Sequence, residues 1–198
     1  MIDRVRYFLG VFNAVLLPPG LLFWFVIHPW AHRWRTLGPA RTYSIVLPAL
    51  VAVGAGLFHN RGKLLGADLG TSWTLIAIAL GLYGLTVVEL RYWRQLSVRT
   101  LIGMPELSRT ESRADVLLTD GAYRTVRHPR YLSAGIGVVA NALIINHVGI
   151  YILVVLLCAA GVVLLRLEER ELVDRFGERY RQYQRDVPLI IPNFRHTR

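Results

Sequence analysis

The chain has 198 residues, 54% of them hydrophobic and 18% charged, against about 25% charged in an ordinary soluble domain. Disorder needs low hydrophobicity and a disulfide scaffold needs many cysteines. A mean hydropathy of +0.39 and a single cysteine, Cys158, exclude both. The formal charge of +10 first suggests a nucleic-acid partner, but the cations alternate along the chain between apolar runs, so no nucleic-acid partner is expected.

Five uncharged apolar runs follow in order: 7–27, 42–58, 73–88, 131–145 and 148–165. A membrane-spanning helix takes about 20 apolar residues, with a range of about 17–25. Runs one, two and five reach that range, and runs three and four borrow flanking residues. Run one follows Arg4 and Arg6 but is too long for a signal-peptide core; it reads as a retained helix, kinked at Pro18-Pro19. Of the 23 cations all but Lys63 are arginine, a bias that hints at a GC-rich, bacterial genome. Nineteen cations lie in 28–41, 89–130 and 166–198, and four lie in the alternate gaps. The positive-inside rule puts the rich gaps in the cytoplasm, with the N-terminus outward and the C-terminus cytoplasmic. The expected fold is therefore all-α: a polytopic protein of the bacterial inner membrane with about five transmembrane helices and a cytoplasmic C-terminal helix. It forms a single domain over 1–198. Runs four and five are joined only by Asn146-His147, which forces an antiparallel hairpin. Their small residues, among them Ala134, Gly135, Gly137 and Gly161, predict a close helix pair.

The unusual residues gather at the mouth of that hairpin. Asp120-Gly121 marks a turn. His128 precedes a proline and should be extended, while Pro129 suits the first helical position. His128 is thus expected at the N-cap of run four, where free N–H groups and the helix dipole favour an anion and Arg127 adds a full charge. Beyond run five, Glu168 and Glu171 share one helix face, and Glu169 points about 100° away from Glu168. An anion-binding helix start would then face a carboxylate cluster. A zwitterion fits such a mouth, its carboxylate at His128 and its ammonium at Glu168. The stretch 176–183 reads as an amphipathic helix that breaks at Val187-Pro188. No G-x-G-x-x-G follows a strand, so no Rossmann site is expected. His59 and His147 have no inward-facing partner to share a haem, and His28, His32, Trp30 and Trp34 read as interface residues.

Arg127-His128-Pro129-Arg130-Tyr131, an apolar hairpin, then Glu168-Glu169 resembles the RHPxY…EE signature. That signature belongs to the isoprenylcysteine carboxyl methyltransferase family and its phospholipid methyltransferase relatives. Gly121-Ala122-Tyr123 is similar to the family's upstream GPY element. Phe176-Gly177-Glu178-Arg179-Tyr180-Arg181-Gln182-Tyr183 with Val187-Pro188 is similar to its C-terminal tail. The resemblance covers 115–192, about 40% of the chain.

The resemblance implies S-adenosylmethionine as cofactor, bound in the half 115–192. It implies Tyr123, His128, Pro129, Tyr131 and Glu168 in the pocket, with Asp115, Val116, Leu117 and Leu118 covering the adenosine. It implies a lipophilic small-molecule or lipid acceptor, methylated on oxygen at the cytoplasmic face, with membrane lipids around it, no metal and no obligate protein partner. Arg166 and Glu169 are the candidate catalytic residues. Eukaryotic members carry a substrate-contacting arginine one turn before the first glutamate; Leu164 stands there, and Arg166 is the nearest cation. The rival readings are phospholipid N-methylation, a sterol-reductase-like NADPH enzyme, and a membrane scaffold with a degenerate site.

Overall fold

The computed structural model describes residues 1–90 and 117–192. Asp115 and Val116 lie outside the described residues. Eight α-helices carry the described chain: α1 (Ile2–Ile27), α2 (Ala31–Leu37), α3 (Pro39–His59), α4 (Arg61–Leu65), α5 (Trp73–Leu90), α6 (Pro129–Ile145), α7 (Val148–Phe176) and α8 (Glu178–Asp186). Short 3-10 turns at His28–Trp30 and Gly121–Arg124 complete them. Every apolar run thus becomes a helix, the conformation that satisfies backbone polar groups within the segment itself.

Three helical stretches, Ile2–Trp30, Pro39–His59 and Val148–Phe176, are long and apolar enough to cross a membrane; Trp73–Thr86 and Pro129–Ile145 are apolar but shorter. Phe8, Val51, Leu80 and Val155 stand on the outside of the bundle, as side chains facing lipid tails do. Within it, α1 packs on α3, α6 and α7, and α5 packs along α6. The apolar part of α7 ends at Leu165, and its remaining turns are polar.

Helix α1 runs as one helical element through Pro18 and Pro19. In the hairpin the small residues divide: Ala140 and Ala142 are buried, Ala142 beside Ile150 of the partner helix, whereas a Cβ at Gly135, Gly137 or Gly161 would meet nothing within 4 Å. The hairpin is also fixed at its tip. Asn146 takes the left-handed conformation at φ 51°. Its amide donates to Gly70 O at 2.8 Å and its carbonyl oxygen accepts from Tyr151 Oη at 2.9 Å. Gly149 lies so close to the Leu64 carbonyl that no Cβ could be added.

The tip belongs to a polar knot. Arg6, 1% exposed, donates to Asp68 Oδ1 at 2.5 Å, Ile145 O at 2.9 Å, Asp3 Oδ1 at 3.1 Å and Thr71 Oγ1 at 3.2 Å. His147 sits beside Asp68, its Nδ1 3.6 Å from Asp68 Oδ1. At the opposite end of the bundle, residues 28–38, 117–128 and 166–192 come together. The described parts of the three arginine-rich gaps therefore share one end.

Candidate functional site

The site is built where the 121–128 segment enters α6 and where α7 leaves its apolar part. Gly121 turns the chain with φ 63°. His128 stands at the N-cap of α6 with φ −126° and ψ 64°, short of the extended backbone that the following proline suggests, and Pro129 takes the first helical position. Gly177, with φ 59°, ends α7 and turns the chain back into α8. The tail then clasps the entry segment. Arg127 N donates to Pro188 O at 2.8 Å, and His128 N to Leu189 O at 3.1 Å. Tyr183 Oη donates to Tyr123 O at 2.6 Å.

Glu169 is the hub of this clasp. Its Oε1 accepts from Arg127 Nε at 3.0 Å, His128 Nε2 at 2.7 Å and Tyr180 Oη at 2.6 Å. Its Oε2 accepts from Arg127 Nη2 at 2.9 Å and Gln184 Nε2 at 2.5 Å. Burial opposes ionisation, but the bonds from His128, Arg127, Tyr180 and Gln184 outweigh it and hold the carboxyl well below its ordinary value. Tyr180 and Tyr183 shift the other way: burial raises both hydroxyls, with the Glu169 charge adding to the rise. A carboxylate surrounded by donors acts only as acceptor. His128 Nε2 therefore carries its proton toward Glu169, and only Nδ1 can meet a ligand.

These contacts alter the sequence picture of the mouth. His128 sits opposite Glu169, not Glu168, because the 127–128 segment and α8 cover the face of α7 that lies about 100° round from Glu168. The Arg127 guanidinium is committed to Glu169 and to the Gln184 and Val187 carbonyls. The N–H groups of Arg127 and His128 are taken by the tail, so the anion-binding helix start loses two donors and its nearest cation. Glu171 is engaged from the other side: His28 Nδ1 lies 3.0 Å from its Oε2 and Arg35 Nη2 lies 3.5 Å from its Oε1.

Glu168 stands between these two saturated carboxylates. Its Oε2 is buried and has no hydrogen-bond partner among the described residues. Its charge reaches Tyr123 and Tyr180, where it adds to the upward push that burial gives both hydroxyls. A buried carboxylate oxygen left without a donor costs roughly 1–3 kcal/mol or more, so a donor or cationic group brought to it would be stabilising. Tyr131 sets its ring edge-on to His128, 5.7 Å between centroids. Pro129 is buried, Tyr123 and Leu117 are half-buried, and Leu118 is exposed. Arg166 is exposed, and Leu164, where the resemblance implies an arginine, is 1% exposed in the core.

Sequence reasoning missed the clasping roles of Tyr180, Tyr183 and Gln184 and the pairing of His28 with Glu171. The spacing of Tyr180 and Tyr183 on one face of an amphipathic helix could have flagged the first. No local signal joins residues 28 and 171.

Comparison with known proteins gives the family. Residues 73–179 match the family model for phospholipid methyltransferase. A methanethiol S-methyltransferase of Pseudomonas deceptionensis is 33% identical over 132 residues, 60% of this chain and 48% of the relative. One of Crocosphaera subtropica is 36% identical over 81 residues, 37% of this chain and 28% of the relative. A protein-S-isoprenylcysteine O-methyltransferase of Schizosaccharomyces pombe is 35% identical over 78 residues, 39% of this chain and 33% of the relative. The matches span about half or less of the length of these curated relatives. No solved structure matches.

Proposed function

From the premise that this chain belongs to the phospholipid methyltransferase family, we propose that it is an integral membrane methyltransferase using S-adenosylmethionine, with five spans and its site at the cytoplasmic face. Its acceptor is a small or lipophilic thiol. The observation that carries the cofactor reading is the buried, partnerless Oε2 of Glu168, which suits the ammonium of an amino-acid moiety. Tyr123 feels the Glu168 charge; with Pro129 and Tyr131 it would line the pocket, and the 115–118 segment would cover the adenosine. S-adenosylmethionine, when bound, supplies a methyl group on a cationic sulfur. The chain's own work is to hold, align and dry the reactants. Alignment alone can supply roughly 7–11 kcal/mol of the barrier, and a dry site favours a reaction in which the sulfonium charge is neutralised.

Two features favour sulfur over a carboxylate as the acceptor. Relatives that match this chain are named for methanethiol. Among the described residues, Leu164 and the exposed Arg166 leave no buried cation one turn before Glu168, where a carboxylate clamp would stand. O-methylation of an isoprenylcysteine-like acceptor is the second reading, favoured by the fission-yeast relative.

The test is methyl transfer from labelled S-adenosylmethionine by detergent-purified protein to an alkanethiol, a farnesylcysteine and phosphatidylethanolamine in parallel. Transfer to the thiol is expected. Transfer only to farnesylcysteine or to the phospholipid would replace this reading with the O- or N-methyl one. Reporter fusions at both chain ends test the five spans: a C-terminal reporter active only outside the membrane would sink that count.

A further inference from the structure

We infer that His128 is the proton acceptor for the methylated thiol, with Glu169 as the positioning residue that aims it. The inference rests on the thiol reading above and assigns a step which that reading leaves open. A carboxylate acceptor arrives ionised and needs no base. A thiol does need one, because the thiolate is the nucleophile.

The geometry supplies a base of the kind found where a carboxylate orients a catalytic imidazole. Glu169 Oε1 holds His128 Nε2 at 2.7 Å. The carboxylate is itself pinned by the two Arg127 nitrogens, Tyr180 and Gln184, so it cannot swing away. The His128 N–H is tied to Leu189 O at 3.1 Å and the ring stands edge-on to Tyr131. Backbone, ring plane and tautomer are thus all fixed. Nδ1 is the ring nitrogen left over: no group among the described residues bonds it. Glu169, which holds the imidazole, is the neighbour on α7 of Glu168, whose buried Oε2 has no partner among the described residues. The hydroxyls of Tyr180 and Tyr183 are pushed up and stay protonated, and both oxygens of Glu169 are already filled by donors, so none of the three can serve instead.

In the step, the thiol S–H gives its proton to His128 Nδ1. The sulfur lone pair bonds to the methyl carbon while the bond from that carbon to the donor sulfur breaks. The electron pair of the broken bond stays on the donor sulfur, which leaves as a neutral thioether. The imidazolium, held against Glu169, returns its proton to water when the product departs.

The test uses the full chain in detergent and has two arms. In the first, histidine-selective 15N NMR reads the His128 tautomer. The wild type is expected to carry its proton on Nε2, and Glu169→Gln to show a mixture of tautomers. A wild-type proton on Nδ1 would overturn the proposal. In the second, His128→Gln is compared with wild type on ethanethiol and on thiophenol, whose more acidic proton is already lost at pH 8. General-base loss is worth roughly 10²–10⁴-fold, so transfer to ethanethiol should fall at least a hundredfold and transfer to thiophenol less than tenfold. S-adenosylhomocysteine binding should stay within threefold. Equal losses on both thiols would overturn the proposal alone. A tenfold loss of S-adenosylhomocysteine affinity would also overturn it, by making His128 a cofactor ligand. No transfer by wild type to any thiol would overturn the thiol reading, and this inference with it.

Discussion

Arg127→Met tests whether the clasp holds the site together. The guanidinium is 11% exposed and the Glu169 carboxylate 13%, which decides the magnitude. An exposed pair would be worth about 0–1 kcal/mol, whereas removing one partner of a buried pair costs roughly 3–5 kcal/mol. The substitution deletes two bonds to Glu169 and strands the Gln184 and Val187 carbonyls. The backbone bonds from Arg127 and His128 to the tail survive. A chain of this size moves roughly 2–4 °C in Tm per kcal/mol, so the expected loss is roughly 6–20 °C by tryptophan fluorescence in detergent. Arg124→Met, at an exposed position of the same segment, should cost less than about 0.5 kcal/mol. In a double-mutant cycle with Glu169→Gln the losses should fall short of additivity by roughly 1–3 kcal/mol. An Arg127→Met loss no larger than that of Arg124→Met, or additivity within about 0.5 kcal/mol, would refute the clasp.

The acid limb of stability should report the same carboxylate. Glu169 is held below its ordinary value of 4.5, so its contribution is complete above that value and lost as pH falls through it toward the folded one; melts at pH 3 to 7 should show a slope that Glu169→Gln flattens. Glu168→Gln should weaken S-adenosylhomocysteine binding about tenfold, a cost of about 1.4 kcal/mol, while Glu171→Gln leaves affinity within about twofold and lowers Tm; calorimetry that ranks the two the other way would move the cofactor. Arg166→Leu should keep cofactor binding and most methyl transfer, measured with the labelled donor; a hundredfold loss of turnover with normal binding would bring Arg166 to the acceptor.

The helices and the residues of the mouth were legible because both are written locally. An apolar run of 18 residues or a proline after His128 constrains its own neighbourhood whatever the rest of the chain does. The partners inside the mouth were not. Glu168 and Glu169 differ only by about 100° on one helix, and which of them meets His128 depends on the side from which α8 returns. That choice is made by Gly177 and by the tail's bonds to residues 127 and 128, contacts across about 60 positions. The hairpin's small residues were legible only in part: Ala140 and Ala142 are buried, but the glycines permit a close approach without requiring one.

The Arg6 knot sets an order of assembly. Arg6 is synthesised 62 residues before Asp68 and 139 residues before Ile145, and its guanidinium bonds both. At roughly 5–20 residues per second, synthesis leaves α1 with its buried charge half-answered for roughly 7–28 seconds, until the α6–α7 hairpin arrives. A nascent chain stopped before residue 145 would therefore hold a charged side chain with part of its partner set missing, a ready mark for membrane quality control. Completion of that hairpin and locking of α1 are one event.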